Sequence, residues 1–363
     1  MLDVTSGLRR KRSAFSKRGL SLPVALFLGV VAAYGGTVAA ILAGAPWMSV
    51  ILVPVCGILV IILFIVGHDA CHQSFTSSSA LNRLIGRIAF LPALHAYSLW
   101  DREHNQRHHR FNNIKDLDYA WIPLSLKEFA LASPLQRLKY RFYRNPGGVL
   151  FYYLFEIWPQ RKIFPRQELH GKISLIHVGD SVMLAGFLVL YLGGLTIAGG
   201  WFGKSAVESV TIAFLLPFLI CNAFISWAIF VHHTHYAVPW YATYDEWKQG
   251  DGAIYGTVHV KFPRFVRGLF LNIMEHNVHH FAPRVPLYHL SDMQTLAKRP
   301  DSVTWRFSFR NYWDICARCK LFDYEASRWL DFNGRPTAEP LRKKPCHGRL
   351  ERPAGESLQS RSG

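Results

Sequence analysis

Four long apolar runs constrain this chain more than any other feature of its sequence. Residues 22 to 43 and 48 to 66 contain no Asp, Glu, Lys or Arg, and a membrane helix needs about 20 predominantly apolar residues. Two further runs lie far downstream, at 175 to 199, interrupted only by His177 and Asp180 near its start, and at 209 to 231. The first run is too long for the apolar region of a cleaved signal peptide, about 7–15 residues, and a second follows it at once, so it is expected to be retained. Within each pair the link is short, Ala45-Pro46-Trp47 in one case and Gly200 to Glu208 in the other. Each pair therefore predicts a helical hairpin, four spans in all.

Charge orients these spans. Arg9, Arg10, Lys11, Arg12, Lys17 and Arg18 precede the first, and both the 67-to-174 loop and the segment after residue 230 are rich in Lys and Arg. Positive flanks stay inside, which predicts an integral, multi-pass protein with both termini and the large loop cytoplasmic. The net charge of +17 fits attraction to anionic headgroups, at roughly 1 kcal/mol per basic residue near the surface. No basic stripe with interleaved aromatics stands away from the membrane flanks, so no nucleic-acid partner is expected. The six cysteines are scattered, which argues against a disulfide framework and fits a reducing compartment. Residues 1–20 and 335–363 read as disordered basic tails, leaving one domain over 21–334. Between the second and third spans, 124 to 132 and 135 to 143 read as helices against the bilayer, and 80 to 97 as an interfacial or re-entrant helix.

Histidines cluster where these spans end. His68-Asp-Ala-Cys-His72, His104-Asn-Gln-Arg-His108-His109 and His276-Asn-Val-His279-His280 supply eight imidazoles, and a fourth cluster, His232-His233-Thr234-His235, closes the last span. An even number of spans separates the clusters, so all face one side. Residues four apart share a helix face, so His68 with His72, and His104 with His108, are expected to aim at one point, as is His276 with His279 or His280. Neutral imidazole suits iron, zinc, copper and nickel. Eight or nine such ligands exceed what one six-coordinate ion uses, which points to two metals. For the isolated His95, His170, His177, His259, His289 and His347 the ordinary reading is a surface or hydrogen-bonding role.

These clusters resemble the histidine boxes of the membrane fatty acid desaturase superfamily, over about residues 20 to 330. Gly67-His68-Asp69-Ala70-Cys71-His72-Gln73-Ser74-Phe75 looks like the first box of acyl-lipid desaturases, and His276-Asn277-Val278-His279-His280 with the following Pro283 and Pro286 is similar to the third. His233-Thr234-His235, followed by Pro239 and Trp240, resembles a motif that omega-6 and omega-3 type desaturases carry ahead of the third box. The resemblance implies an all-α membrane protein whose four transmembrane helices, in two hairpins, carry a cytoplasmic helical cap with a His-rich di-iron site. It implies two iron ions held by His68, His72, His104, His108, His109, His276, His279 and His280, with His233 as the ninth ligand and His232 and His235 less favoured. No catalytic residue separate from these ligands is implied.

One departure concerns the second box, which has three residues between His104 and His108 where many acyl desaturases have two; related hydroxylases and ketolases share the longer spacing. The implied activity is an O2-dependent acyl-lipid desaturase, with a hydroxylase, ketolase or alkane-type monooxygenase as the alternative on the same scaffold. Its partners would be a lipid or acyl-chain substrate, the bilayer, and a separate electron donor of ferredoxin or cytochrome b5 type, because no His-Pro-Gly-Gly signature of a fused cytochrome b5 domain occurs. An apolar tunnel is expected beside the metals. Asp69, Asp116, Asp118 and Glu275 are candidates to orient the imidazoles. Cys316-Ala317-Arg318-Cys319 is one C-x-x-C pair where a rubredoxin-like centre needs two. A transporter reading finds little support, since polar residues within the spans are sparse, chiefly Asp180, Asn222 and Ser226.

Overall fold

A computed structural model describes residues 19–296 and 302–341. The expected tails fall largely outside the described residues, as do residues 1–18 and 342–363 and with them His347. Among the described residues, four helices are long and apolar enough to cross a membrane. The first is α1 (Ser21–Ala43). The second, α2 (Ser49–Cys71), starts after a single turn at Pro46–Met48. α3 (Ser79–Phe90) opens on the Ser78 side chain, which accepts the Leu81 amide. α4 (Tyr97–Glu103) runs into a π-helical turn at His104–His108. Capping boxes at Ser125 and Ser133 start two short helices, Leu126–Leu131 and Pro134–Tyr143, over the stretch between the second and third spans. The third long helix is α5 (Leu175–Trp201) and the fourth ends in α6 (Leu216–His233), preceded by Ala206–Val210 and a π-helical turn at Thr211–Leu215. Downstream, α7 (His276–Phe281), α8 (Leu287–Leu296) and α9 (Phe309–Arg318) complete the helical part.

Two details depart from the sequence reading. The second span was expected to end at residue 66, yet α2 continues through the first histidine cluster, because His68, Asp69, Ala70 and Cys71 are packed against protein and need no aqueous contact. The chain is mostly helical rather than wholly so. β1 (His259–Lys261) pairs in parallel with β2 (Thr304–Arg306), and β3 (Leu321–Asp323) pairs antiparallel with β4 (Arg328–Leu330). The backbone beyond β4 stays tied to it, Thr337 N–H donating to Trp329 and Leu341 N–H to Ser327.

The spans divide by burial. In α2 61% of the most apolar window is buried and in the fourth span 50%, against 22% in α1 and 17% in α5. The inner pair therefore forms the core that carries the histidines, while α1 and α5 present apolar surface outward, as lipid-facing helices do. α2 packs on α1, α3 and α6, and Gly57 permits the close approach to α6, since a Cβ there would meet Ile220 at 2.7 Å. Polar contacts pin the remaining pieces. Asp180 of α5 accepts from Arg87 of α3 at 2.6 Å and from the Ser98 amide of α4 at 2.9 Å. Ser226 of α6 donates to the Val149 carbonyl and accepts the Tyr153 amide at 3.1 Å.

Candidate metal centre

Helix continuity sets the first pair of imidazoles. His68 is the fourth residue from the end of α2, and the His72 amide still donates to the His68 carbonyl at 3.2 Å, so both rings leave one face. The second cluster behaves differently. The π-helical turn closes with the His109 amide donating to the His104 carbonyl, five residues back, which widens the helix by one residue. As a result His104 shares a face with His109 rather than with His108, correcting the pairing expected from ordinary helical spacing. In α7 the same separation occurs: His276 and His280 point one way and His279 the other.

The nine candidate histidines assemble into two groups. His68, His72, His104, His109 and His279 form one, and His108, His233, His276 and His280 the other, with the ligand atoms of each within 4.8 Å of one another. In the first group His104 Nε2 lies 3.0 Å from His68 Nε2 and 2.9 Å from His109 Nε2. In the second, His233 Nε2 lies 3.2 Å from His108 Nε2 and 3.0 Å from His276 Nε2, and His276 Nε2 lies 3.1 Å from His280 Nε2. The groups touch where His109 stacks on His280, ring centroids 4.0 Å apart at 14°.

This donor set fits metal ions. A neutral imidazole has one ring hydrogen, so nitrogens converging three at a time cannot all be satisfied by one another. His279 has no hydrogen-bond partner for either nitrogen although it is fully buried, and His72 Nε2 is likewise unpartnered; orphaned buried polar atoms of this kind are costly. A separation of about 3.0 Å is that of two nitrogens at right angles around an ion with bonds of about 2.1 Å. Burial, reinforced by the neighbouring imidazoles, holds His72, His104, His109, His276 and His280 well below the ordinary histidine value, and His279 falls to about 3. The lone pairs are thus free for a metal at neutral pH.

Around the imidazoles, the carboxylate candidates take different places. Asp118 Oδ1 accepts from His108 Nδ1 at 3.0 Å while the same side chain accepts the amides of Asn113, Tyr119 and Ala120. Those amides hold Asp118 as an acceptor, so His108 carries its hydrogen on Nδ1 and turns a bare Nε2 to its group. Asp69 accepts from the Ser74 hydroxyl and the Leu287 amide, tying the end of α2 to the start of α8. Glu275 binds Arg267 at 2.6 Å and His259 at 3.0 Å. Asp116 is exposed in a left-handed turn at φ 64°. His232 is in neither group, though its ring lies 4.9 Å from that of His276; His235 stands apart, its Nδ1 accepting the Ala237 amide. Trp100, which sequence reasoning missed, stacks on His104 at 3.9 Å and 29°. An aromatic four residues before a box was the only available signal.

Below the groups runs a narrow cavity of about 60 Å³. Phe64 and Ile65 of α2, Phe224 and Ile229 of α6, Ile273 and Met274 line it together with His68, His104 and His276. Tyr119 and Tyr153 are its two phenols. Both Cys316 and Cys319 are buried in an apolar cluster with Tyr312, Phe322 and Trp329, and burial pushes the Cys316 thiol up to about 12.

Residues 45–310 match the family model described as fatty acid desaturase. The omega-6 fatty acid desaturase of Glycine max chloroplasts is 27% identical over 292 residues, covering 78% of this chain and 65% of that protein. The sn-1 oleoyl-lipid 12-desaturase of Picosynechococcus sp. is 29% identical over 296 residues, covering 79% and 80%. The sn-1 acyl-lipid omega-3 desaturase (ferredoxin) of Synechocystis sp. is 30% identical over 263 residues, covering 69% and 70%. The chain spans between about half and two thirds of the length of the plant relatives and more of the cyanobacterial ones.

Proposed function

We propose, on the premise that this chain belongs to the fatty acid desaturase family, that it is an oxidoreductase introducing a double bond into the acyl chain of a membrane lipid. The observation that carries the reading is the placement of two all-imidazole groups over an apolar cavity. Balanced, the reaction is –CH2–CH2– + O2 + 2e⁻ + 2H⁺ → –CH=CH– + 2H2O. Alkene formation is favoured over an oxygenated product because relatives from plants and cyanobacteria alike carry desaturase names.

Two iron ions held by His68, His72, His104, His109 and His279 and by His108, His233, His276 and His280 would supply the oxidant that removes hydrogen from an unactivated methylene. The chain's own side chains do the rest. Phe64, Ile65, Phe224 and Ile229 form a slot that holds methylenes in extended conformation beside His68, His104 and His276. Trp100, stacked on His104, closes one wall and excludes water. Asp118 fixes the tautomer of His108 and the orientation of its ring.

The desaturase domain extends over 21–334, its spans paired as two hairpins with a cytoplasmic helical cap. Basic flanks and an even number of spans support an orientation with both termini and the metal groups cytoplasmic. Electrons come from a separate carrier of ferredoxin or cytochrome b5 type, and the name of the Synechocystis relative supports the former. Gas chromatography with mass spectrometry of lipids from a host expressing this chain with ferredoxin and its reductase tests the function. New double bonds are expected with the intact protein and none with His276→Ala; oxygenated chains in their place would shift the reading to a monooxygenase.

A further inference from the structure

The cavity wall holds two phenols, and each is oriented by a buried base outside the metal groups. His95 Nδ1 lies 2.6 Å from the Ala93 carbonyl, which only accepts, so the ring hydrogen is on Nδ1 and the bare Nε2 accepts the Tyr153 hydroxyl at 2.7 Å. Lys162 Nζ lies 3.1 Å from the Tyr119 hydroxyl. An ammonium has donors alone, so it donates to Tyr119, whose own hydrogen is then directed elsewhere. Tyr153 therefore spends its hydrogen on His95, whereas Tyr119 keeps its own hydrogen to donate.

Lys162 is completely buried, an expensive place for a charge that an apolar residue of the same length would avoid. It faces Tyr119 from the loop after the second box, Glu103 and Arg107 from α4 and the π-helical turn, Arg161 beside it, Cys71 at the end of α2, and His95. Burial, opposed by Glu103 and assisted by Arg161, brings it down to about 7, so it can exchange a proton near neutrality where an ordinary lysine would not.

We propose that Tyr119 and Lys162 deliver protons to the oxygen reduced at the metal groups, Tyr119 as the catalytic donor and Lys162 as the group that resupplies it. This rests on the desaturase reading, whose balance consumes two protons and two electrons per double bond. In each transfer an O–H bond of Tyr119 breaks and one forms on the oxygen being reduced to water; a Lys162 N–H bond breaks and a new O–H forms on Tyr119. The electrons come from the carrier. Solvent reprotonates the amine at the edge where Arg161 and Arg107, paired with Glu103, reach the surface. The cavity is also lined by the ring N–H groups of Trp100 and His232; Tyr119 differs in having the Lys162 ammonium 3.1 Å from its hydroxyl to restore its proton.

Lys162→Met and Tyr119→Phe test this in two ways. In the metal-free protein, NMR of lysine labelled with carbon-13 at Cε should show one resonance, lost in Lys162→Met, that titrates near pH 7 and shifts in Tyr119→Phe. With metal, ferredoxin and reductase, wild-type turnover should fall as pH rises through about 7, since the ammonium is the donating form. Both variants should keep their iron content and KM, lose roughly 10²-fold in kcat, lose that pH limb, and release hydrogen peroxide in place of water. Turnover and pH profile equal to wild type in Lys162→Met, or a Lys162 resonance titrating at an ordinary lysine value, overturns the proposal alone. A wild-type protein that forms no double bond overturns the desaturase reading and the proposal with it.

Discussion

His279 and His235 are both buried histidines, yet their nitrogens have opposite fates. His235 already accepts the Ala237 amide on Nδ1 and packs its ring against Tyr236. His279 is fully buried with both nitrogens unpartnered, 4.6 Å from the His68 ring centroid and 4.7 Å from that of His72. A buried polar group left in that state costs about 1–3 kcal/mol, which a metal ion in the first group would recover. His279→Ala should therefore lower the iron content of the purified protein from two ions per chain toward one, whereas His235→Ala should leave it at two. Elemental analysis by mass spectrometry of both variants checks this; equal iron in both would remove His279 from the first group. That the histidines mattered was legible from their spacing beside the spans. Their division into groups was not, because it depends on one π-helical turn and on α7 facing two ways. Tyr119 and Lys162 were illegible for another reason, since they meet across 43 positions of sequence, while Trp100 stacks on His104 only four residues away, a spacing any helical aromatic can have.

At the scale of elements, the position of α2 fixes the first pair of ligands, and α3 sets that position. Gly67, directly before His68, lies against Phe90 of α3; a Cβ there would sit 2.6 Å from Phe90 Cδ1. Phe90 is itself fully buried, with Phe64, His95 and Trp100 around its ring, and has no room to withdraw. Gly67→Ala must then separate α2 from α3 or rotate His68 out of its group. Overpacking of this kind costs about 1–3 kcal/mol, and thermal unfolding in detergent should show a lowered midpoint together with reduced metal content. An unchanged midpoint would mean that α3 yields freely. The long helices were readable because the length of an apolar run translates directly into a spanning helix. β1 and β2 were not, since three-residue strands separated by more than forty positions leave no local pattern.

For the whole molecule, the direction of two helices decides where the chemistry occurs. α2 and α6 both carry histidines at their C-terminal ends, so they run parallel and bring those ends to one side, while the links at Trp47 and Phe202 lie at the opposite ends of the spans. Basic residues flank the histidine side, and keeping a Lys or Arg near an anionic cytoplasmic surface is worth roughly 1 kcal/mol each. The histidine side should accordingly face the cytoplasm, where a reduced soluble carrier can reach it. Five cysteines are buried, so with Cys346→Ser as background a single introduced thiol reports its own side. Gln106→Cys and Arg284→Cys, both at exposed positions, should react with a membrane-impermeant maleimide in inverted vesicles and not in intact cells. Trp47→Cys and Phe202→Cys, also exposed, should react in intact cells. Labelling of Gln106→Cys from outside would reverse the orientation and place the metal groups beyond the reach of a cytoplasmic electron donor.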